Sequence, residues 1–211
     1  MRQRDPAGAL RLRRIVADAR DLSERRLASE TVFKGVFLEL RRDRARMPDG
    51  REAIREYVVH PGAAAMVPLF DDGTILIERQ FRYPLGRSFV EIPAGKLDPG
   101  ETSLQTARRE LLEETGYRAR EWALLTTIHP AIGFADEAID IYLCRGLEPV
   151  GETALDDGEF VEIDRVSLEW LEAELRAGRL TDVKTQIAVH WLRDLYEQRV
   201  PWPRFEPAPR D

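Results

Sequence analysis

The fold is decided by the stretch GKLDPGETSLQTARRELLEETGY, residues 95–117, which joins a turn-rich loop to a helix with an unusual distribution of charge. Thr102, with Gln105 three residues later, forms a capping-box pattern that predicts the start of a helix. Apolar residues then recur at helical spacing, at Leu104, Ala107 and Leu111. Gly116 is the residue type that ends helices in the left-handed conformation. The stretch therefore predicts a helix over residues 103–115 with one apolar face.

Three glutamates, Glu110, Glu113 and Glu114, close this helix where its dipole is already negative. Like charges at these spacings cost a few tenths of a kcal/mol per pair, and each acid in the last turn adds roughly 0.3–1 kcal/mol. Arg108 and Arg109 offset part of this cost. A hard divalent cation such as Mg²⁺ offsets it more directly, because it prefers carboxylate and phosphate oxygens. The cluster predicts a metal site, and the alternative is an ordinary solvated acidic face.

The same stretch carries a longer pattern: a glycine, five residues, a glutamate, seven residues, and then Arg-Glu-aliphatic-x-Glu-Glu-x-Gly. These fixed positions are Gly95, Glu101, Arg109, Glu110, Leu111, Glu113, Glu114 and Gly116. The position after the last glycine is usually aliphatic in this pattern and is Tyr117 in this chain. The pattern is the Nudix signature, and the chain resembles a Nudix hydrolase. The resemblance implies an α/β/α sandwich and the Mg²⁺-dependent hydrolysis of a nucleoside diphosphate linked to another group, with Mn²⁺ as an alternative ion.

The resemblance also implies roles for individual residues of the signature. Glu110 and Glu114 would be the main metal ligands, with Glu113 as a third and the carbonyl of Ala94 as another oxygen donor. Arg109 would orient a glutamate. A metal held in this way would neutralise the bridging phosphates and lower the pKa of a bound water in line with phosphorus.

The resemblance also implies a general base on the loop after the predicted DEAIDIYL strand, which is LDDGEFVEI, residues 155–163, in this chain. This loop supplies four acids, Asp156, Asp157, Glu159 and Glu162. Glu159 is the first choice, as base or metal ligand, and Asp157 the second; the alternative is a turn rich in acids because turns generally are. Asp136 and Glu137 are candidates for contact with a terminal ribose or an outer metal ion. Glu101 would either brace the start of the helix or take part directly.

The segments around the signature resemble the ADP-ribose pyrophosphatase branch of this family, at residues 46–64, 75–101 and 129–147. The implied reaction converts ADP-ribose to AMP and ribose 5-phosphate, with GDP-mannose or another nucleotide sugar as the second choice of substrate. A nucleotide-sensing module without turnover is the alternative from another class. The complete acidic set argues against a sensor, because a sensor has no use for so much charge on one helix.

The branch also implies a homodimer in which an N-terminal hairpin is exchanged between subunits. Arg55 and Glu56 would then reach the nucleotide bound by the other copy, and the alternative is an exposed pair at a strand edge. Arg82 is a candidate ligand for the diphosphate or a ribose, because a planar guanidinium suits phosphate oxygens. Arg79 and Glu91 are expected in the same cleft, although Glu91 could equally be an outward strand residue.

The order of the remaining patterns predicts an α/β (α+β) chain with a small antiparallel N-terminal subdomain. Residues 1–60 are predicted to contain an arm, up to residue 30, and a two-stranded hairpin around Pro48, Asp49 and Gly50. Residues 61–199 are predicted to form the Nudix domain, with C-terminal helices at 168–177 and 184–198. Residues 200–211 contain four prolines and are predicted to be a flexible tail.

The composition sets limits on partners and location. A net charge of −6 and a pI of about 5.3 argue against a general affinity for nucleic-acid backbones or anionic membranes. One cysteine, Cys144, and three histidines exclude an internal disulfide framework and a Cys/His zinc cluster. The N-terminus is too charged for a signal peptide, and no segment approaches the ~20 apolar residues of a membrane span. The composition thus predicts a cytoplasmic protein whose partner is small or is another copy of the chain, and the resemblance implies a small nucleotide and a homodimer.

Overall fold

A computed structural model of the chain describes residues 21–36, 38–151, 153, 155 and 160–209. The chain divides into two compact units, with the boundary between Val59 and His60. Three of the loop acids expected to include the general base, Asp156, Asp157 and Glu159, lie outside the described residues, as do residues 1–20 of the expected arm.

The N-terminal unit is a three-stranded antiparallel sheet in the order β1-β2-β3, where β1 is Arg25–Lys34, β2 is Glu39–Arg46 and β3 is Glu52–Val59. The turn between β2 and β3 contains the predicted Pro48, Asp49 and Gly50. The expectation of two strands is nevertheless wrong, because part of the predicted arm forms β1 and the arginine-rich segment forms β2. Cross-strand ion pairs stabilise so charged a strand: Arg42 lies 3.3 Å from Glu30 on β1 and 2.8 Å from Glu56 on β3.

The second unit is built on an eight-stranded sheet in the order β10-β5-β4-β9-β8-β11, with β6 paired to β5 and β7 paired to β4. Its strands are β4 Ala63–Leu69, β5 Ile75–Arg82, β6 Arg87–Glu91, β7 Ala94–Lys96, β8 Tyr117–Ile128, β9 Ile139–Pro149, β10 Val161–Val166 and β11 Glu206–Pro207. Its helices are α1 Ser103–Thr115, α2 Leu168–Arg176 and α3 Val183–Tyr196, and a short 3-10 turn, Tyr83–Leu85, joins β5 to β6. The pair β4–β9 is parallel and the other pairs are antiparallel.

Helices cover both faces of this sheet, and the alternation along β4 shows how. Ala64 and Met66 pack in one apolar cluster with residues of α1. Ala65 and Val67 point to the other face and pack in a second cluster with residues of α2 and α3. The α1 side is completed by Ala107 and Leu111, and the opposite side by Leu171, Ala188, Val189, Leu192 and Leu195. The predicted α/β/α sandwich is confirmed.

Two strands, β5 and β7, pair with different parts of β4, and β7 leads directly into the loop of the signature. β5 pairs with β4 at its end, through Leu69 and Ile75, while β7 pairs with its beginning, at Ala63 to Ala65. The chain leaves β7 through the loop of the signature and enters α1 at the N-cap Thr102, whose capping box with Gln105 is present. The helix ends at Gly116, which has a φ of 71° and donates its N–H to the carbonyl of Leu112 at 2.8 Å. The helix predicted over residues 103–115 is therefore confirmed at both ends.

The C-terminal part is held more firmly than its proline content predicts. Both predicted helices are present as α2 and α3, and Glu206 and Pro207 then pair with Trp122 and Glu121 at the edge of β8. Phe205 packs against the core, with the guanidinium of Arg145 3.9 Å from its ring centroid. Proline is tolerated here because an edge strand need not donate every N–H. Across the described ranges, none of the helices combines the length and the apolar character needed to cross a membrane.

Candidate active site

Arg109 is the centre of the polar network on α1. Its Nε and Nη2 donate to the two carboxylate oxygens of Glu101, each at 3.0 Å. Its Nη1 donates to Glu110 at 2.8 Å and to Glu113 at 2.9 Å, and Nη2 also reaches the carbonyl of Lys96 at 3.2 Å. One guanidinium thus connects the loop before the helix to two of the three glutamates near its end. The planar fork is the reason that arginine can do this, because it offers five N–H donors in fixed directions.

Glu101 has the contacts of a bracing residue. Besides Arg109, its carboxylate accepts from the hydroxyl of Thr106 at 2.7 Å and from the backbone N–H of Asp98 at 3.3 Å. The hydrogen bond from Arg109, followed by those from Thr106 and Asp98, outweighs partial burial and lowers the pKa of Glu101 to about 2. The carboxylate therefore stays ionised throughout the ordinary pH range and joins the loop to the first turns of α1.

This lowered pKa predicts a contribution to stability that depends on pH. Because the pKa of Glu101 falls from an ordinary 4.5 to about 2 in the folded chain, its contribution is fully present above pH 4.5 and is lost as the pH falls toward 2. We expect Glu101→Gln to lower the free energy of unfolding at pH 7, with a smaller difference from the wild type at pH 3. Urea unfolding of both proteins at the two pH values measures this. A difference that stays constant between pH 7 and pH 3 would contradict the assignment.

Glu110 lies against the backbone of β7 at Gly95. A Cβ added at Gly95 would overlap the carboxylate of Glu110, including its carbon and Oε1. Gly95 does not have a left-handed φ, so the glycine is needed for this close approach rather than for its backbone conformation. The side chain of Glu110 is only 14% exposed. The contact brings the carboxylate next to the peptide unit that contains the carbonyl of Ala94.

Replacing Gly95 by alanine should therefore displace Glu110. If Glu110 holds a metal ion, as the signature implies, we expect Gly95→Ala to lower kcat about 10-fold and to weaken activation by that ion, because the ligand loses its support. The matched control is Gly100→Ala in the same loop, where φ is +90° and an added Cβ meets nothing within 4 Å. That control should lower the unfolding temperature through backbone strain but leave kcat unchanged. Equal losses of kcat in both variants would contradict the role of the Gly95 contact.

Glu113 and Glu114 differ in their surroundings. The side chain of Glu113 is 35% exposed and pairs with Arg109. Glu114 is 2% exposed and continues the apolar stripe of Ala107 and Leu111, since these positions are four and three residues apart on α1. A buried carboxylate is costly unless it is paired and hydrogen-bonded, so it needs partners at this position.

The donors on α1 and β7 suit a hard divalent cation in their chemistry. Carboxylates of Glu110, Glu113 and Glu114 together with a backbone carbonyl are oxygen ligands of the kind that Mg²⁺ takes. The contact at Gly95 also places one carboxylate beside the Ala94 peptide. Among the described residues, no three His, Cys, Asp or Glu side chains already converge on one point as in a formed metal centre. Nη1 of Arg109 instead bridges two of the glutamates, Glu110 and Glu113, by donating to both.

Arg82 and Glu91 form a partly buried pair on β5 and β6. The Nε and Nη2 of Arg82 donate to the two carboxylate oxygens of Glu91 at 2.8 and 2.7 Å. Glu91 is 2% exposed, so the alternative that it is an outward strand residue is wrong. The side chain of Arg82 is 39% exposed. Arg82 is thus accessible to a ligand, whereas Glu91 is placed to orient Arg82.

Arg79 is not brought together with Arg82. The two residues are three positions apart on β5, and side chains at such an interval leave opposite faces of a sheet. Arg79 is exposed and lies 2.6 Å from Glu162 on β10. The expected cleft shared by both arginines is therefore not present, because the pleat of β5 separates them.

Three other candidates are found in local ion pairs. Arg55 and Glu56 are neighbours on β3 and so project from opposite faces of the N-terminal sheet. Arg55 pairs with Glu24 at 2.6 Å, while Glu56 pairs with Arg42. In the second unit, Glu137 lies 3.7 Å from Nε2 of His60.

Sequence reasoning missed one set of residues near Glu91, at the start of α3. Lys184, which is only 6% exposed, pairs with Glu91 and lies 3.2 Å from the N-cap residue Asp182. Thr185 donates its hydroxyl to Asp182 at 2.6 Å and accepts the backbone N–H of Ile92 at 2.9 Å. The sequence feature that could have pointed to this region is Asp182, a typical N-cap residue. It predicts the start of a helix but not a buried lysine.

Comparisons with known proteins agree with this architecture. Residues 59–185 match the NUDIX domain, and residues 24–58 match the nucleoside diphosphate sugar hydrolase N-terminal domain. An ADP-ribose pyrophosphatase of Bacillus subtilis (strain 168) is 40% identical over 175 residues, which cover 82% of this chain and 95% of that protein. A methanol dehydrogenase activator of Bacillus methanolicus is 39% identical over 171 residues, covering 81% of this chain and 92% of that protein. A crystal structure of an ADP compounds hydrolase has a similar fold, with a TM-score of 0.75 at 20% identity over 86% of this chain and 98% of that one.

Proposed function

The chain belongs to the Nudix hydrolase family, and we propose that it hydrolyses ADP-ribose to AMP and ribose 5-phosphate with the help of Mg²⁺. Membership of the family makes it a hydrolase of diphosphate bonds. The observation that supports the proposal most directly is the network of Arg109, which holds Glu101, Glu110 and Glu113 around one guanidinium. This concentration of acids on α1 and in the loop before it is explained by a reaction that requires concentrated negative charge.

In this proposal, Glu110, Glu113 and Glu114 would hold the ion together with the carbonyl of Ala94. When bound, Mg²⁺ supplies charge neutralisation at the diphosphate and lowers the pKa of a bound water. Arg109 keeps Glu110 and Glu113 in place through its Nη1. Hydrolysis adds water across one P–O bond of the diphosphate, so that one phosphorus gains the new oxygen and the other phosphate leaves. Glu159 remains our choice for the residue that accepts the proton of that water.

Arg82 is the proposed ligand of the diphosphate itself. Its guanidinium is held by Glu91 along one edge, through Nε and Nη2, and is partly exposed. An arginine fixed in this way binds phosphate oxygens with little loss of side-chain freedom. We place Glu137 at the terminal ribose.

ADP-ribose is proposed as the substrate because the relative from Bacillus subtilis, which is similar over most of both chains, is an ADP-ribose pyrophosphatase. A nucleotide sugar such as GDP-mannose is the second candidate, and it is favoured by the match of residues 24–58 to the N-terminal domain of nucleoside diphosphate sugar hydrolases.

We further propose that the chain acts in the cytoplasm as a homodimer that shares its N-terminal sheet, with Arg55 and Glu56 directed to the nucleotide of the other copy. Sedimentation of the purified chain tests the assembly. A dimer at micromolar concentration is expected, and a monomer would remove the shared roles of Arg55 and Glu56.

The release of AMP and ribose 5-phosphate from ADP-ribose tests the reaction. Phosphate freed from these products by a phosphatase should be detected with Mg²⁺ and disappear with EDTA, while intact ADP-ribose resists the phosphatase. Mn²⁺ in place of Mg²⁺ identifies the preferred ion. A parallel assay with GDP-mannose decides between the two substrates through their kcat/KM values. If neither compound is cleaved in the presence of either metal ion, the proposed function is wrong.

A further inference from the structure

A buried charge network connects the start of α3 to Arg82. Glu91 receives Nε and Nη2 of Arg82 and, at its Oε2, the ammonium group of Lys184. Lys184 and Glu91 are both nearly inaccessible, with exposures of 6% and 2%. Lys184 therefore cannot itself contact a nucleotide and can act only through its neighbours.

The network also holds the backbone at this point. Thr185, next to Lys184, accepts the N–H of Ile92, the residue after Glu91, at 2.9 Å. Its hydroxyl donates to the N-cap residue Asp182 at 2.6 Å, and Asp182 lies 3.2 Å from the ammonium group of Lys184. The end of β6 and the first turn of α3 are thus joined by a side-chain ion pair and by a separate hydrogen bond. Lys184 is held in a fixed position relative to Glu91.

The charges show what Lys184 contributes. Glu91 is the cross-strand partner of Glu78, a second acid that is fully buried, so this part of the sheet is acidic. Burial tends to raise the pKa of Glu91, but the hydrogen bonds and charges of Arg82 and Lys184 outweigh it and keep the carboxyl ionised. Without Lys184, the full charge of Glu91 would act on Arg82 alone. A guanidinium engaged in that way is a weaker ligand for an incoming diphosphate, because the carboxylate competes with the phosphate oxygens.

We propose that Lys184 is a positioning residue for the diphosphate: by sharing the charge of Glu91, it keeps Arg82 oriented and electrostatically available to the substrate. The inference rests on the proposed function, because it requires Arg82 to bind the substrate. It assigns to the first turn of α3 a role in substrate affinity rather than in the chemical step.

A double-mutant cycle on KM tests this inference with the full chain and Mg²⁺. Arg82→Ala should raise KM for ADP-ribose about 10- to 100-fold, as expected for loss of a charged hydrogen bond. Lys184→Met keeps the length and apolar body of the side chain without the charge, and should raise KM about 10-fold with kcat within about 2-fold of the wild type. In the double variant KM should equal that of Arg82→Ala alone, because Lys184 acts only through Arg82.

The control for a purely structural effect is Val189→Ala on the same helix, a buried position with 2% exposure that packs in the core. It should lower the unfolding temperature and leave KM unchanged. If Lys184→Met behaves in the same way, or if its effect on KM multiplies with that of Arg82→Ala, the inference is overturned. If Lys184→Met does not fold, Lys184→Gln takes its place in the same double-mutant cycle on KM. If the wild type cleaves no nucleoside diphosphate, the proposed function fails instead, and the two failures are distinguished by that measurement.

Discussion

Replacing Glu114 by glutamine should lower kcat/KM for ADP-ribose by at least about 10³-fold, because Glu114 is a proposed metal ligand, several kcal/mol of transition-state stabilisation depend on such a ligand, and each 1.36 kcal/mol is tenfold in rate. Glutamine has the shape of glutamate but not its charge, so the packing of α1 should persist. Glu114 is buried on the same stripe as Leu111, and the loss should therefore appear in turnover and not in the fold. Initial rates over a range of Mg²⁺ concentrations measure it.

Glu121→Gln is the matched control for this change. Glu121 is exposed on β8, pairs with Arg145 at 2.7 Å, and undergoes the same chemical substitution away from α1. Its kcat/KM should stay within about 2-fold of the wild type, as expected for a surface ion pair. If Glu114→Gln retains a tenth or more of the wild-type rate at saturating Mg²⁺, Glu114 is not a metal ligand.

Replacing Arg109 by lysine should lower kcat about 100-fold, although the positive charge is retained, because loss of an outer partner of the proposed metal ligands costs up to about that factor. An ammonium group is a compact point of charge. It cannot reproduce the planar fork of N–H donors that reaches Glu101, Glu110 and Glu113 together. We expect the loop before α1 to loosen at the same time. Hydrogen exchange of the N–H of Asp98, which bonds to Glu101, should become faster.

Arg108→Lys is the matched control, because it makes the same substitution at a neighbouring position. Both residues lie on α1, and the same substitution at either position leaves the net charge unaltered. Arg108→Lys should keep the wild-type kcat and the slow exchange at Asp98. Should Arg109→Lys keep them too, the fork geometry of Arg109 is not needed, and a single positive charge is sufficient at that position.

The local parts of this structure were predictable from the sequence. Helix α1 was predicted at both ends because a capping box, an apolar stripe and a terminal glycine act over a few residues. The sandwich followed from the resemblance and from the order of elements. Strand β2 was missed because its segment is so rich in arginine, and such composition resembles a loop until the partners on β1 and β3 are known.

The contacts of the candidate site were less predictable where they join distant parts of the chain. Lys184 and Glu91 are 93 residues apart, and no periodicity or motif pairs them before the fold is known. The signature identifies Gly95 as a fixed position, but only the approach of Glu110 to β7 shows why a side chain is excluded there. The separation of Arg79 from Arg82 follows from the pleat of β5, because side chains three positions apart project from opposite faces.

The burial of Glu114 beside Ala107 and Leu111 has a consequence for how such a chain evolves. If Glu114 is a metal ligand, as proposed, a leucine there would complete the apolar stripe and abolish turnover while the packing of α1 persists. A descendant that is no longer selected for catalysis would therefore be expected to accept a hydrophobic residue at this position. Such a protein would keep the fold without the activity.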